Sequence, residues 1–280
     1  MNDETPAATG KPVFFIDSNM ERAELHPFAG GRVALFCVKS PDRESANQDS
    51  AALIPCPDDS GVLVVADGVG GYAGGAQASR LAVEAMAEAV EEGIAAGNKL
   101  RASALNGVEL ANKRVRELGT GAATTIAVVL LQEGRMRSCH VGDSDILVVG
   151  GLGKMKHRTL SHGPVGYALE AGLMDEGEAM NHAQRNEVSN IVGIPDMRIE
   201  IGPRLGLAQR DTVLLGSDGL YDNLFEEEIV ERIRKGKLED CAGALASTAL
   251  RRMAKPHRGE PHKPDDLAFI LYRPERRKGA

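Results

Sequence analysis

Twice along this chain an apolar run rich in β-branched residues stops at an Asp-Gly pair: Val62-Leu63-Val64-Val65-Ala66-Asp67-Gly68 and Thr212-Val213-Leu214-Leu215-Gly216-Ser217-Asp218-Gly219. Each run reads as a buried strand. Asp67 and Asp218 are therefore expected at strand ends, each followed by a glycine that permits φ > 0 and a tight turn. Val69-Gly70-Gly71 extends the first of these turns. A turn of this kind can bind a ligand, or it can be an ordinary Asp-Gly hairpin. One copy alone leaves the two readings level, and the rest of the chain has to decide between them.

Other carboxylates fall at comparable places. Asp49 follows a strand candidate at 32–38 and a polar loop at 39–48, Gly142-Asp143-Ser144 separates the apolar stretches 136–141 and 146–149, and Asp265-Asp266 leads into 267–272. The β-prone run 123–131 reaches its hairpin mate through Glu133-Gly134. Helical spacing replaces alternation at Ala78, Leu81, Ala82, Ala85, Met86, Ala89 and Val90, and again in 101–118, 226–234 and 240–253, which predicts amphipathic helices covering a sheet. Residues 161–202 are mixed, with helical pieces at 165–171 and 176–183, and read as a lid or insertion.

The chain has 280 residues and nothing resembling a linker between halves, so one large domain is expected, residues 31–273, preceded by an arm, 1–30, and followed by a basic tail, 274–280. Val13 to Ile16 is the one apolar patch of that arm and could dock on the body. A net charge of -7 disfavours non-specific nucleic-acid binding. No apolar run is long enough to cross a bilayer, and residues 1–10 lack the basic-then-apolar layout of a secretory signal. A cytoplasmic monomer is expected. The four cysteines, Cys37, Cys56, Cys139 and Cys241, form no Cys-x-x-Cys pair.

Strands that end in Asp49, Asp67, Asp143, Asp218 and Asp265 suggest a rim where several carboxylates converge. Like charges a few ångströms apart raise one another's pKa, so the cluster requires a compensating cation. Oxygen donors without nearby His or Cys favour Mg²⁺ or Mn²⁺ over Zn²⁺. A pair of such ions sharing one carboxylate, roughly 3.5–4 Å apart, would acidify a bridging water and orient it for in-line attack on a phosphate. No Cys-x5-Arg signature is present, and Asp67-Gly68-Val69 lacks the second Asp of aspartyl-phosphate enzymes, which disfavours a covalent route.

Asn47-Gln48-Asp49, Asp67-Gly68-Val69-Gly70-Gly71, Thr124-Thr125, Val141-Gly142-Asp143-Ser144, Ser217-Asp218-Gly219-Leu220-Tyr221-Asp222 and Asp265-Asp266, in that order, resemble the motifs of the metal-dependent serine/threonine protein phosphatases known as PPM or PP2C, in their bacterial form. The resemblance spans residues 32–272. It implies an α+β fold, a four-layer α-β-β-α sandwich with two central antiparallel sheets, and two Mn²⁺ or Mg²⁺ ions at one edge. By the same resemblance Asp67 bridges both ions and the Gly68 carbonyl binds one, Asp218 and Asp265 hold the other, and Asp49 acts through bound water. Bacterial relatives imply a third ion near Asp143, with Asp218 and Asp222. The implied substrate is a protein phosphorylated by a serine/threonine kinase, and 161–202 matches the family's flap.

The chain also departs from the family pattern. Glu44 stands where an arginine that binds substrate phosphate is often found, and Arg43, one residue earlier, becomes the candidate. Val69 replaces a His proposed as general acid in animal relatives, Gln48 replaces a common Glu, Asp145 replaces an Arg, and Ala268 replaces a Thr or Ser. Glu44 and Asp145 keep open a pseudophosphatase that binds proteins without catalysis. A phosphatase of small metabolites remains the third reading, because fold and metals do not define the leaving group. Thr124 and Thr125 read as strand packing rather than catalysts, and His140 and His162 as core or surface residues before acids.

Overall fold

Strand parity sorts the apolar residues of this chain into three cores. The structure is a computed structural model and describes residues 10–41, 44–69 and 74–275. Its strands are β1 (Val13–Ile16), β2 (Glu24–Phe28), β3 (Gly31–Val38), β4 (Asp49–Cys56), β5 (Ser60–Val69), β6 (Ala123–Thr124), β7 (Ile126–Gln132), β8 (Arg135–Val141), β9 (Asp145–Val149), β10 (Met155–Arg158), β11 (Glu200–Gly206), β12 (Thr212–Gly216) and β13 (Leu267–Pro274). The helices are α1 (Gly74–Ala95), α2 (Leu100–Glu117), α3 (Pro164–Glu170), α4 (Glu176–Met180), α5 (Asp218–Tyr221), α6 (Glu226–Ile233) and α7 (Leu238–Ala254).

Two antiparallel sheets form the centre. One runs β1-β4-β5-β7-β8-β11 with β6 attached to β5, and the other runs β10-β9-β12-β13-β3-β2. Successive side chains of a strand face opposite ways. Ala52, Ile54, Val62, Val64 and Ala66 therefore pack outward against Ala78, Ala82, Met86 and Val90 of α1 and Ala104, Val108 and Ala111 of α2. Leu53, Leu63, Val65 and Val129 face inward, against Leu35, Ile146, Val213, Leu215 and Ile270 of the other sheet. Phe36, Leu147, Leu214, Phe269 and Leu271 face outward again, onto Ile229 and Ile233 of α6 and Leu245 and Ala249 of α7. This is the expected four-layer sandwich.

Several boundaries differ from the sequence reading. The arm expected over 1–30 is, from Val13, part of both sheets: β1 pairs with β4, placing Phe15 opposite Ala51, and β2 pairs with β3, placing His26 opposite Val33. Both are edge strands with one half-exposed face, so neither shows a clear alternation. The lid expected over 161–202 gives up its last residues to β11, which pairs with β8. β10, the edge of the second sheet, was not foreseen, because Met155-Lys156-His157-Arg158 carries almost no apolar signal. Of the expected tail, Pro274 closes β13 and Glu275 pairs with Arg32 at 2.9 Å. Residues 1–9 and 276–280 lie outside the described residues.

Candidate functional site

The parity that builds the inter-sheet core also aims carboxylates at its end. In β5, Leu63 and Val65 face the second sheet, and Asp67 is the next residue on that face. In β4, Leu53 and Ala51 do the same, and Asp49 follows, directly across the ladder from Asp67. From the other sheet, Val213 and Leu215 of β12 lead to Ser217, whose hydroxyl donates to Asp49 Oδ2 at 2.6 Å. Asp218 follows as the first residue of α5, and Asp265 precedes β13. Asp143 sits where the chain crosses from β8 in one sheet to β9 in the other. All the metal-site carboxylates read from the sequence thus meet at one rim.

The two glycines act differently from expectation. Gly68 does not end its strand, since β5 continues through Val69 with Gly68 opposite Thr124. Gly219 lies inside α5. Neither has a positive φ. Both are needed for close backbone approach: a Cβ on Gly68 would stand 2.1 Å from the Gly75 carbonyl oxygen of α1, and one on Gly219 would stand 1.9 Å from that of Asp266. The first contact brings the start of α1 to Asp67, and the second brings the Asp265 turn to Asp218. Gly70 and Gly71, expected to extend the first turn, lie outside the described residues, as does Arg43, the candidate phosphate contact.

Neighbouring polar groups fix these carboxylates. Thr124 Oγ1 and the Thr125 amide each donate to the Asp67 carbonyl at 2.8 Å, and the Asp67 amide donates to Thr125 Oγ1 at 3.1 Å. The threonines thus position the main chain of Asp67, a role between packing and catalysis. Asn47 Oδ1 accepts from the Asp49 amide at 2.8 Å, and the Asn47 amide donates to Asp17, just past β1, at 3.0 Å. Asp266 receives the Ser40 and Gln48 amides at 2.7 and 2.9 Å, stapling the 39–48 loop to the start of β13. Of the adjacent pair Asp265-Asp266, one therefore faces the cluster and the other holds a loop.

The electrostatics are those of a site short of positive charge. Burial, and then the neighbouring carboxylates, push Asp67 well above the usual carboxylate range. Burial also raises Asp49, against the Ser217 hydrogen bond. Asp143 is pushed up to about 8 and Asp222 to about 6, in each case by burial and then by Asp218. Asp218 falls below its ordinary value: burial opposes its charge, but Lys263 and a hydrogen bond from Asp67 outweigh that. Lys263 was not foreseen. Its ammonium bonds Asp218 Oδ2 and lies 2.9 Å from Asp222 Oδ2 and 3.2 Å from Asp265 Oδ2. No local pattern in His262-Lys263-Pro264-Asp265 announces it.

The donor set fits divalent metal. It is all oxygen, which suits Mg²⁺ or Mn²⁺. Asp49 Oδ1 is buried with no hydrogen-bond partner among the described residues, an acceptor left for a cation or its water. Asp143, Asp218 and Asp222 line a cleft of about 720 Å³. Val165, Leu169, Met180 and Arg185 of the expected flap also line it.

The remaining departures resolve into structure. Asp145, in place of a basic residue, accepts from Arg158 Nε and Nη2 at 3.2 and 3.0 Å and from Thr159 Oγ1 at 3.1 Å. Ala268 is buried in the inter-sheet core. His140 and His162 stack with ring centroids 4.4 Å apart and gather with Glu200 into a group whose ligand-type atoms lie within 4.8 Å of one another. His162 Nδ1 accepts from the Gly142 amide at 3.1 Å, which leaves the proton on Nε2, facing Glu200 at 3.1 Å. Burial lowers the pKa of His140. The pair supports the loop that carries Asp143.

The family profile described as "Protein phosphatase 2C" matches residues 41–254. Protein phosphatase PhpP of Streptococcus pneumoniae is 32% identical over 177 residues, covering 60% of this chain and 70% of that protein. Among solved structures, the serine/threonine phosphatase Stp1 from Staphylococcus aureus superposes with a TM-score of 0.73 at 24% identity, covering 92% of this chain and 99% of that one. The catalytic domain of the serine/threonine protein phosphatase PstP, solved with 2 manganese ions, superposes with a TM-score of 0.65 at 22% identity, covering 87% and 97%. With the profile matched across most of its length and the fold shared with these phosphatases, the chain belongs to the protein phosphatase 2C family.

Proposed function

We propose that this chain hydrolyses phosphoserine and phosphothreonine in proteins, with two divalent ions, Mn²⁺ or Mg²⁺, held at the carboxylate rim. The observation that carries the reading is the meeting of Asp49 and Asp67 from one sheet with Asp218 and Asp265 from the other, in an arrangement that their mutual repulsion disfavours without added positive charge. Asp67, placed between the two sheets' contributions, would be shared between the ions, with the Gly68 carbonyl beside it. Asp218 and Asp265 would serve the second position, Asp49 would act through water by its unpaired Oδ1, and Asp143 and Asp222 would complete a third with Asp218. When bound, such ions acidify water and orient it for in-line attack on phosphorus.

The chain's own residues do the rest. Thr124, Thr125 and Ser217 hold Asp67 and Asp49 in place. The apolar flap residues Val165, Leu169 and Met180 narrow access to the acidic wall of the cleft. Substrates would be products of a serine/threonine kinase, and a cytoplasmic monomer belongs to the same proposal. Asp145 is neutralised by Arg158 rather than left as a foreign charge in the site, which removes one motive for a pseudophosphatase.

The test is Mn²⁺-dependent hydrolysis of a phosphothreonine peptide and of an aryl phosphate. Asp67→Asn and Asp218→Asn are each expected to lower kcat by about a hundredfold or more, as losses of metal-held charge do. Unchanged turnover in both variants, or equal turnover with and without metal, would remove the proposal.

A further inference from the structure

Lys263 is in direct contact with the carboxylate cluster, and its position is built rather than incidental. Its side chain is 14% exposed. Its amide donates to Asn223 Oδ1 at 3.0 Å, and Asn223 Nδ2 donates back to the Lys263 carbonyl at 2.8 Å. Asn223 is fully buried and also donates to the Gly219 carbonyl at 2.9 Å, which ties the backbone of Lys263 to the turn that carries Asp218. Pro264 then restricts the chain between Lys263 and Asp265. The ammonium so placed contacts Asp218, Asp222 and Asp265 at once.

The three carboxylates that this ammonium contacts are the ones that a divalent ion at the second and third positions would require. A single positive charge set against three carboxylates compensates them only in part. The lysine side chain has four rotatable bonds, so the ammonium can leave while the backbone stays clamped by Asn223. We infer that Lys263 is a tethered counter-ion that competes with divalent metal for Asp218, Asp222 and Asp265, so that loading of this side of the site displaces it. The inference rests on the metal-dependent reading given above. Its consequence is quantitative: the apparent affinity for metal is the intrinsic affinity multiplied by the fraction of molecules in which the ammonium has vacated the cluster. The metal-free protein keeps a partly neutralised rim, and metal is taken up at a higher free concentration than bare carboxylates would need.

Calorimetric titration of chelator-stripped full-length protein with Mn²⁺ tests this, comparing wild type with Lys263→Met and Lys263→Gln. Both variants are expected to bind Mn²⁺ about tenfold more tightly, and to have a lower metal-free Tm that saturating Mn²⁺ restores. In the wild-type protein, acetylation of Lys263 followed by peptide mass spectrometry is expected to be slow without metal and to accelerate when Mn²⁺ is added. This second measurement decides the matter if a variant fails to fold. Wild-type affinity in both variants, or a Lys263 that stays protected at saturating Mn²⁺, overturns the competition while leaving metal binding itself intact. Failure of all three proteins to take up Mn²⁺ overturns the competition and the metal-dependent reading together.

Discussion

Ser217 shows how single residues tune this rim. Its hydroxyl donates to Asp49 Oδ2 at 2.6 Å, both groups are buried, and the bond opposes the burial that raises the pKa of Asp49. Ser217→Ala is expected to cost about 1–2 kcal/mol of stability in urea unfolding, because a buried acceptor loses its donor. It should also weaken Mn²⁺ binding, since Asp49 then holds its proton to higher pH. A variant as stable as wild type, with the same Mn²⁺ affinity, would mean that Ser217 does not govern the ionisation of Asp49. Asp49, Asp67, Asp143, Asp218 and Asp265 were legible in the sequence because each lies at one end of an apolar run. Lys263 was not, because a lysine in a polar loop looks solvated until the loop's neighbours are known.

At the scale of elements, Arg158 on β10 ties three pieces together. It pairs with Asp145 on β9 at 3.0 Å and with Glu226 at the start of α6 at 2.5 Å. The Asp145 side chain is only 5% exposed while that of Arg158 is 38% exposed. Removing the arginine strands a buried carboxylate, which in a fully buried pair costs roughly 3–5 kcal/mol, and less where solvent can reach the partner. Arg158→Met is expected to lose about 2 kcal/mol of unfolding free energy, and adding Asp145→Asn should recover at least half of it. Additive losses in the double mutant would show that the two residues act separately. β10, β11 and β2 were poorly legible for one physical reason: an edge strand buries little, so its composition follows solvent rather than alternation. β1 still matters to the site, because Asp17 at its end holds the amide of Asn47.

The whole molecule couples metal, protons and stability. In the metal-free protein Asp143 and Asp222 have pKa values of about 8 and about 6, above their unfolded values. Between the unfolded value and these, the folded state binds more protons than the unfolded chain, so folding stability falls as pH rises through that window. Asp218, whose pKa is lowered, contributes stability that is lost at the acid end. Thermal melts of chelator-treated protein are expected to give their highest Tm near about pH 5 and to decline toward about pH 8. Mn²⁺ should flatten that decline, adding about 2.7 kcal/mol at a hundred times its Kd, and its binding should release protons in unbuffered titration. A metal-free Tm that rises from pH 5 to pH 8 would contradict the assigned ionisation.

The sequence by itself determined which residues alternate, where apolar runs stop, and that the stops are carboxylates. Those local properties fix strand faces and so carry both the sandwich and most of the rim. Only the tertiary structure decided what meets across the gap between the sheets. It paired Asp49 with Asp67, set Gly68 against Gly75 and Gly219 against Asp266, and gave Asp145 a partner, Arg158, from the neighbouring strand. It also carried Lys263 into the carboxylates through the Asn223 clamp. Local pattern encodes which way a side chain points. Its partner depends on distant backbone closing to within a few ångströms, which no neighbouring residue records.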